Sequence, residues 1–503
     1  MRLRQINTSA AQLGTVLPMR CTVPAPPLEP HHPASQALSA GVLRGMDQPG
    51  PRYTSYPTAD RFVEAFGAEQ YAQVLQQRAA GTGVGALVGL ASGRVKPLSL
   101  YVHIPFCVQL CHYCACNKII TRHHARGAEY LGWLEREMAL HTAVLGSGQA
   151  VSQLHLGGGS PSFLSDAELT RLMGLLRAHF RLLPDAERGI ELDPRTADGE
   201  RLAHLKALGF NRLSFGVQDF DPDVQQAVHR VQPFDSVNRL MQQARALGFD
   251  SVNADLIYGL PKQTPASFSR TLQQMAQLRP DRIALYAYAH LPERFKPQRR
   301  ILVQDLPSAE QRVQMLGAAI SGFGEQGYRY IGMDHFALPG DALAVAQRQG
   351  RLQRNFQGYS TQAEGDLLGL GVSAIGRVGA SYSQNAKTLA EYQDALSQGR
   401  FPVVRGLALS RDDLLRRSLI MALMCQGRID FDAVEQAHLV DLREAMAPEL
   451  TQLATLAERG WVRLSEREVQ VTAAGWYVVR AVAMVFDRHL QADQTRQRYS
   501  RII

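Results

Sequence analysis

Cysteine is scarce in this chain: there are six among 503 residues. No secretory signal precedes them, so a disulfide framework is not expected, and the reducing cell interior is the expected compartment. Apolar runs long enough to span a bilayer are missing as well. The longest weakly apolar stretch, Gly81 to Ala91, is short and glycine-rich, and reads as a flexible insertion between a helix and the first strand. Separated CxxC pairs, the usual signature of structural zinc, are absent. Nothing near the C-terminus joins a basic recognition stripe to interleaved aromatics, which argues against nucleic-acid binding. A formal net charge of +8 suits anionic partners without choosing between nucleic acid, membrane surface and a polycarboxylate. Part of that surplus lies at the start, where Arg2, Arg4, Arg20 and Arg44 face the single acid Glu29. With Pro24, Pro26, Pro27, Pro30 and Pro33 close by, residues 1–46 are expected to be a disordered, dispensable extension, with Met46 as an alternative start. Little serine and no sustained amphipathic helix speak against a transit peptide.

Against that scarcity, four of the six cysteines fall within ten residues: Cys107, Cys111, Cys114 and Cys116, in YVHIPFCVQLCHYCACNK. Soft thiolates select iron–sulfur clusters, zinc or copper(I), and the spacing CxxxCxxC lets three of them hold three iron corners of a [4Fe-4S] cube. The fourth iron would then be open to chelate the amino and carboxylate groups of S-adenosylmethionine (SAM). An electron passed from cluster to sulfonium splits SAM to a deoxyadenosyl radical, chemistry that belongs to the cofactor while the protein aims it. Two other readings stay open on spacing alone. Zinc is one, and a closed electron-transfer cluster with Cys116 as fourth ligand is the other.

From Leu98 onward, short β-rich runs alternate with amphipathic windows, the pattern of parallel βα units. Strands are expected at Leu98 to Ile104, Gln153 to Leu156, Gly189 to Asp193, Arg212 to Val217, Ser251 to Ile257 and Arg282 to Tyr288. Helices are expected at Glu129 to Leu145, Asp166 to Phe180 and Ala266 to Leu278. Six such units give an α/β fold, an incomplete (βα)6 barrel whose reactive end is the C-terminal end of the strands. The cysteine loop follows the first strand, and Gly157, Gly158 and Gly159 follow the second, where missing side chains let backbone approach a ligand. The expected divisions are residues 47–97 as an N-terminal segment with its Gly-rich insertion, 98–405 as the barrel and its extension, and 406–503 as a mainly helical C-terminal domain. In that last part, helices at Arg411 to Met424 and from Phe431 to His438 onward precede a hairpin (WVRLSE, VQVTAAG) and a final helix to about Leu490. This domain reads as a lid or docking surface over the open side of the barrel.

The extended loop YVHIPFCVQLCHYCACNKIITR resembles that of the oxygen-independent coproporphyrinogen III oxidases (dehydrogenases) of the radical SAM superfamily. So do GPRYTSYPTA from Gly50, HLGGGSPSFL from His155, IELDP from Ile190, RLSFGVQDF from Arg212 and NADLIYGLPKQTP from Asn253. Further matches are YAHLP from Tyr288, YIGMDHFA from Tyr330, RNFQGYSTQ from Arg354 and GVSAIG from Gly371. The resemblance runs from about Gly50 to the C-terminus, apart from the Gly-rich insertion.

This resemblance implies a radical SAM barrel with Cys107, Cys111 and Cys114 as cluster ligands, and Cys116 as the family's extra cysteine without a ligand role. It implies SAM contacts at Tyr101, Tyr113, Gly158, Gly159, Ser160, Glu191, Gln218, Arg230, Asp255, Ala289 and Ile375, with Tyr113 replacing a more usual Phe and Ser160 a common Thr. Arg230 would hold a carboxylate bidentately. Two SAM molecules are implied, because two propionates of coproporphyrinogen III become vinyl groups to give protoporphyrinogen IX in haem biosynthesis. The substrate's carboxylates need cations, and Arg52, Arg354 and His335 are the candidates by motif membership. Neither the electron donor nor the electron acceptor is named by the sequence, and monomer is the default. The rival reading is a haem chaperone of the same superfamily. Such proteins typically lack the CxC cysteine and the PRYTSYPT-, MDHFA- and NFQGYST-like stretches, all of which are present here. A radical methyltransferase or haem-opening enzyme on the same barrel is disfavoured by the N- and C-terminal matches.

Overall fold

A computed structural model describes residues 50–82, 96–362 and 365–492. The proposed leader, and all but the first residues of the Gly-rich insertion, lie outside this range. Strand β1 (Leu98–Ile104) sets the pattern for the barrel. Side chains alternate across a strand, and Leu98, Leu100, Val102 and Ile104 are fully buried on one face. The other face carries Ser99, Tyr101 and His103, which meet polar partners from the next strand. The same alternation recurs in β2 (Gln149–Gly158), β3 (Phe180–Leu192), β4 (Arg212–Gln218), β5 (Ser251–Tyr258) and β6 (Arg282–Ala287). In β5, for example, Val252, Ala254 and Leu256 are fully buried while Asn253 and Asp255 bond to Ser214 across the inner face.

Barrels of this kind are usually filled by layers of branched apolar side chains. Here the inner face is polar, and a chain of bonds crosses its lower half. Ser99 Oγ donates to Gln153, Gln153 Nε2 donates to Glu187 at 3.0 Å, and Arg212 meets Glu187 at 2.9 Å. Burial alone would raise the Glu187 carboxyl, but Arg212 and Arg282 outweigh it and hold the group down at about 2. An interior lined with charge excludes a packed core and leaves a polar cavity.

The six strands run parallel in chain order, as the sequence predicts, but the sheet does not stop there. Beyond β6 it adds β7 (Arg329–Gly332) and β8 (His335–Ala337), with β8 antiparallel to β6. On the other side of β1 it adds β9 (Leu367–Leu370), which is parallel to β1, then antiparallel β10 (Ile375–Val378), β11 (Ser381–Asn385) and β12 (Val403–Ala408). The order is β12-β11-β10-β9-β1-β2-β3-β4-β5-β6-β8-β7, and the two ends do not pair. The sheet is an unclosed, twelve-stranded one with β1 near its middle. Gly157 and Gly158 fall inside β2, paired with His103 and Ile104, and do not follow the strand as expected. Their missing side chains make room for Glu191 and His103.

Helices cover the apolar face. Among them α1 (Ala125–Leu145) and α2 (Asp166–His179) pack on the first strands; Ser165 caps α2 through a reciprocal box with Glu168. The third predicted helix, at Ala266 to Leu278, forms as Pro265–Leu278. After β12 come α3 (Arg411–Gln426), α4 (Phe431–His438) and a three-stranded sheet of Arg428–Asp430, Glu468–Val471 and Val462–Leu464. The single final helix expected to about Leu490 is broken into Ala473–Trp476, Val479–Met484 and Arg488–Ala492. Asp487 causes the last break, since its Oδ1 accepts from the backbone N–H of His489 and Leu490. The core of this region also takes in Tyr53, Tyr56, Ile331, Met333 and Tyr359, so its packing crosses the boundaries drawn from sequence. Among the described residues no helix is long and apolar enough to cross a membrane.

Candidate active site

The loop after β1 is pinned at both ends. Phe106–Cys107 pairs with Ile119–Ile120, and Thr121 N–H donates to the Cys107 carbonyl at 2.9 Å. Between these ties, His112 N–H donates to Val228 O, and Lys118 Nζ donates to the carbonyls of Cys114 and Cys116. The three thiols Cys107, Cys111 and Cys114 lie within electrostatic reach of one another: burial first, then the neighbouring Cys114 and Cys111, push Cys107 up to about 12. Thiolates crowded in this way repel one another unless a cation lies between them, and an iron cluster supplies that positive charge. Arg195 and Arg230 direct N–H groups at the Cys111 sulfur from 3.6 and 3.5 Å, the outer hydrogen bonding that tunes such clusters. Three thiolates are the donor type such a cluster takes, although among the described residues no three His, Cys, Asp or Glu side chains are gathered around a single metal position. Cys116 has a different setting. Its thiol bonds to Cys114, an interaction that lowers Cys114 to about 6, and it lies near Tyr101 and Glu191.

Of the residues predicted to contact SAM, Tyr101, Gly158, Glu191 and Asp255 are neighbours across the inner faces of β1, β2, β3 and β5. Tyr101 stacks on His155 with ring centroids 6.2 Å apart, and its hydroxyl is 3.1 Å from His103 Nδ1. Glu191 is held by His155 at 3.1 Å and by the N–H of Gly158 at 3.3 Å. Burial would raise Glu191, yet these bonds keep it below the ordinary carboxylate range, while its side chain remains 44% exposed to the cavity. Asp255 accepts from Asn253 at 2.8 Å and Ser214 at 3.2 Å. Burial first and the Glu191 charge second push it up to about 6. Gln218 ends β4 with φ of 68°, and Ile375 opens β10. Ser160 Oγ bonds to Ser162 at 2.8 Å. The glycines are needed sterically. A Cβ at Gly158 (φ 120°) would lie 2.7 Å from His103, and one at Gly159 would lie 2.6 Å from the Pro105 carbonyl oxygen.

Three predicted residues have additional duties. Arg230 shares the Asp193 carboxylate with Arg195 and donates to Gly216 O at 2.7 Å, so part of its fork is committed within the protein; its Nε has no partner. The carbonyls of Ala289 and Tyr113 are bridged by the amide of Gln298, which is 1% exposed. His103, His155, Asp193, Arg195 and Gln298 were not singled out from sequence. Period-two alternation on β1 and β2 would have offered the histidines, whereas Gln298 gives no local signal because its partners are 185 and 9 residues away.

Beyond Tyr286 on β6, Arg52 lies 5.5 Å over its ring, and Arg354 Nε donates to Arg52 O while its guanidinium covers Tyr359 at 4.6 Å. Arg480, from the C-terminal region, joins them; burial and then the Arg52 charge lower it to about 9. Asp334 is the acid among these cations. His335, expected as a third cation, donates its Nδ1–H to Met333 O and packs its ring against Tyr286 and Tyr359, and burial, then the Arg354 charge, lower its pKa to about 3.

Comparison with known proteins agrees with this geometry. The family model described as the Radical SAM superfamily matches residues 101–275, and that of the HemN C-terminal domain matches 409–478. Curated oxygen-independent coproporphyrinogen III oxidases from Pseudomonas aeruginosa and Escherichia coli are each 47% identical, covering 92% of this chain and 98% of theirs. The solved structure of coproporphyrinogen III oxidase (HemN) from Escherichia coli, described as a radical SAM enzyme, superposes with a TM-score of 0.82 at 47% identity, over 87% of this chain and 98% of that one. With the cysteine loop, the polar barrel and the C-terminal region all matched along nearly the whole length, the chain belongs to the oxygen-independent coproporphyrinogen III oxidases of the radical SAM superfamily.

Proposed function

We propose that the protein catalyses the oxygen-independent oxidative decarboxylation of two propionates of coproporphyrinogen III to vinyl groups, yielding protoporphyrinogen IX in haem biosynthesis. The observation that carries this reading is a three-thiol loop followed by an inner barrel face on which Glu191 and Asp255 act on the Tyr286 ring that Arg52 covers, with Arg354 and Arg480 beside it. When bound, the cluster and SAM supply a deoxyadenosyl radical that takes hydrogen from the propionate β-carbon. Cys107, Cys111 and Cys114 hold the cluster. Tyr101, Tyr113, Gly158, Gly159, Ser160, Glu191, Gln218, Arg230, Asp255, Ala289 and Ile375 bind SAM, with carboxylates for its ribose and ammonium and Arg230 for its carboxylate. A second SAM serves the second propionate. The arginines hold substrate carboxylates, and the buried segment around Tyr53 and Tyr56 helps keep water from the radical. CO2 leaves, and one further electron per propionate passes to an acceptor. We assign the enzyme to the cytoplasm, where such thiols stay reduced, and take it as a monomer.

The test is anaerobic reconstitution followed by SAM, a reductant and coproporphyrinogen III. Protoporphyrinogen IX should form. Cleavage of SAM with both propionates left intact would contradict the assignment, and tight haem binding without turnover would favour the chaperone reading.

A further inference from the structure

The reaction consumes an electron for every SAM cleaved, and it must arrive from outside. Cys425, the other cysteine in the described range, is buried, so the described residues offer no second thiol cluster to relay it. One face of the cysteine loop is built unlike the rest of the surface. The segment from Arg294 to Val303, RFKPQRRILV, carries four cations and no acid. Gln298 anchors it from beneath by bridging Tyr113, Ala289 and Leu291, and Ile301 packs against Val224, Val228 and Tyr288. With those two side chains turned inward, Arg299 and Arg300 are exposed, together with Leu302 at 56% and Val303 at 70%. Arg300 reaches to 3.4 Å from His112, which is stacked on exposed His229 with centroids 5.3 Å apart. Val231, 60% exposed, lies two residues beyond His229. His112 is the residue directly after Cys111, so this surface lies one covalent link from a proposed iron ligand.

We propose that Arg299, Arg300, His112, His229, Val231, Leu302 and Val303 form the docking face for a small acidic protein carrying a one-electron centre. The inference rests on the proposed function and names its partner class. Exposed apolar side chains beside a surplus of cations suit a brief, steered encounter, in which complementary charge sets the on-rate and the apolar centre excludes water. Docking here brings the carrier's centre close to the Cys111 corner. The carrier is oxidised by one electron, the cluster is reduced by one, and that electron cleaves the C5′–S bond of SAM to methionine and the deoxyadenosyl radical.

The experiment uses the reconstituted holoenzyme and a plant-type [2Fe-2S] ferredoxin as probe. Binding of labelled ferredoxin by fluorescence anisotropy should weaken about tenfold or more in R299E/R300E, and its salt dependence should become shallower. SAM cleavage driven by photoreduced ferredoxin should fall by a similar factor, while cleavage driven by dithionite stays within about twofold of the parent. R299K/R300K should retain both. Unchanged binding, failure of ferredoxin to support cleavage in the parent, or equal loss in the ferredoxin and dithionite arms would overturn the proposal; the last would make the strip serve substrate or SAM. Loss of dithionite-driven cleavage in the parent itself would instead sink the functional reading beneath it.

Discussion

At the scale of single residues, four cysteines have two different settings. Cys107, Cys111 and Cys114 influence one another electrostatically and receive N–H groups from Arg195 and Arg230. Cys116 bonds sideways to Cys114 and lies near Tyr101 and Glu191. Replacing Cys116 by Ala should therefore leave iron and acid-labile sulfide near four per chain, whereas Ala at any of the other three should abolish most of both. Loss of iron in Cys116→Ala would make it a ligand. Asp255 gives a pH prediction with a definite sign. Its pKa is raised from the ordinary carboxylate range to about 6, so the native state binds a proton there more tightly than the unfolded chain. That contribution is complete below about pH 4, the unfolded value, and is lost as pH rises through about 6. In denaturant titrations the parent should lose stability relative to Asp255→Asn across that window, and parallel profiles would refute the shift. The thiols, Glu191 and Asp255 were legible because polar residues on apolar strands announce themselves. The surroundings of His335 were not, since its burial and the nearby Arg354 and Arg52 come from distant segments.

At the scale of elements, short β-rich runs alternating with amphipathic windows identified all six barrel strands, while their ends moved. The sequence predicts β2 from Gln153 to Leu156, yet it runs from Gln149 to Gly158 because β1 supplies a partner even for two glycines. Strands β7 to β12 are three to six residues long, too short to show a period, and were missed. The turn between β9 and β10 is braced by Glu137, a fully buried carboxylate on α1 that accepts from Gly371 N–H, Asn385 and Tyr392. No local pattern signals a brace whose partners are over 230 residues away. The glycine turn makes the sharpest steric prediction. Gly159→Ala forces a methyl against the Pro105 carbonyl, so SAM affinity should drop about tenfold or more, roughly 1.4 kcal/mol. Gly174→Ala, inside α2 with nothing within 4 Å, should leave SAM affinity unchanged and slightly raise the melting temperature. Equal SAM affinity in both variants would remove the steric argument.

Across the whole molecule, the first described residues, from Pro51 to Arg61, bond to the last described ones, from Arg480 to His489. Tyr53 donates to Asp487 at 3.0 Å, Arg480 donates to the Pro51 carbonyl at 2.8 Å, and Arg61 reaches His489 O. This is why the C-terminal region shares a core with residues 53–56 and 331–359 and does not pack as a separate unit. The sequence suggested a covering role for the C-terminal domain but not the clasp that ties it to Tyr53, which spans 434 residues. Tyr53→Phe leaves the ring in place and removes one bond to a buried carboxylate, so unfolding should become easier by about 1–3 kcal/mol. An unchanged melting curve would show that the clasp does not hold the ends together. The central claim concerns how many sulfurs hold the cluster. Mössbauer spectra of the 57Fe-reconstituted protein, recorded anaerobically with and without SAM, test it most directly. One iron of four should change its isomer shift and quadrupole splitting when SAM is added, while the other three stay thiolate-like. Four equivalent irons, unaltered by SAM, would contradict a cube held by Cys107, Cys111 and Cys114 alone.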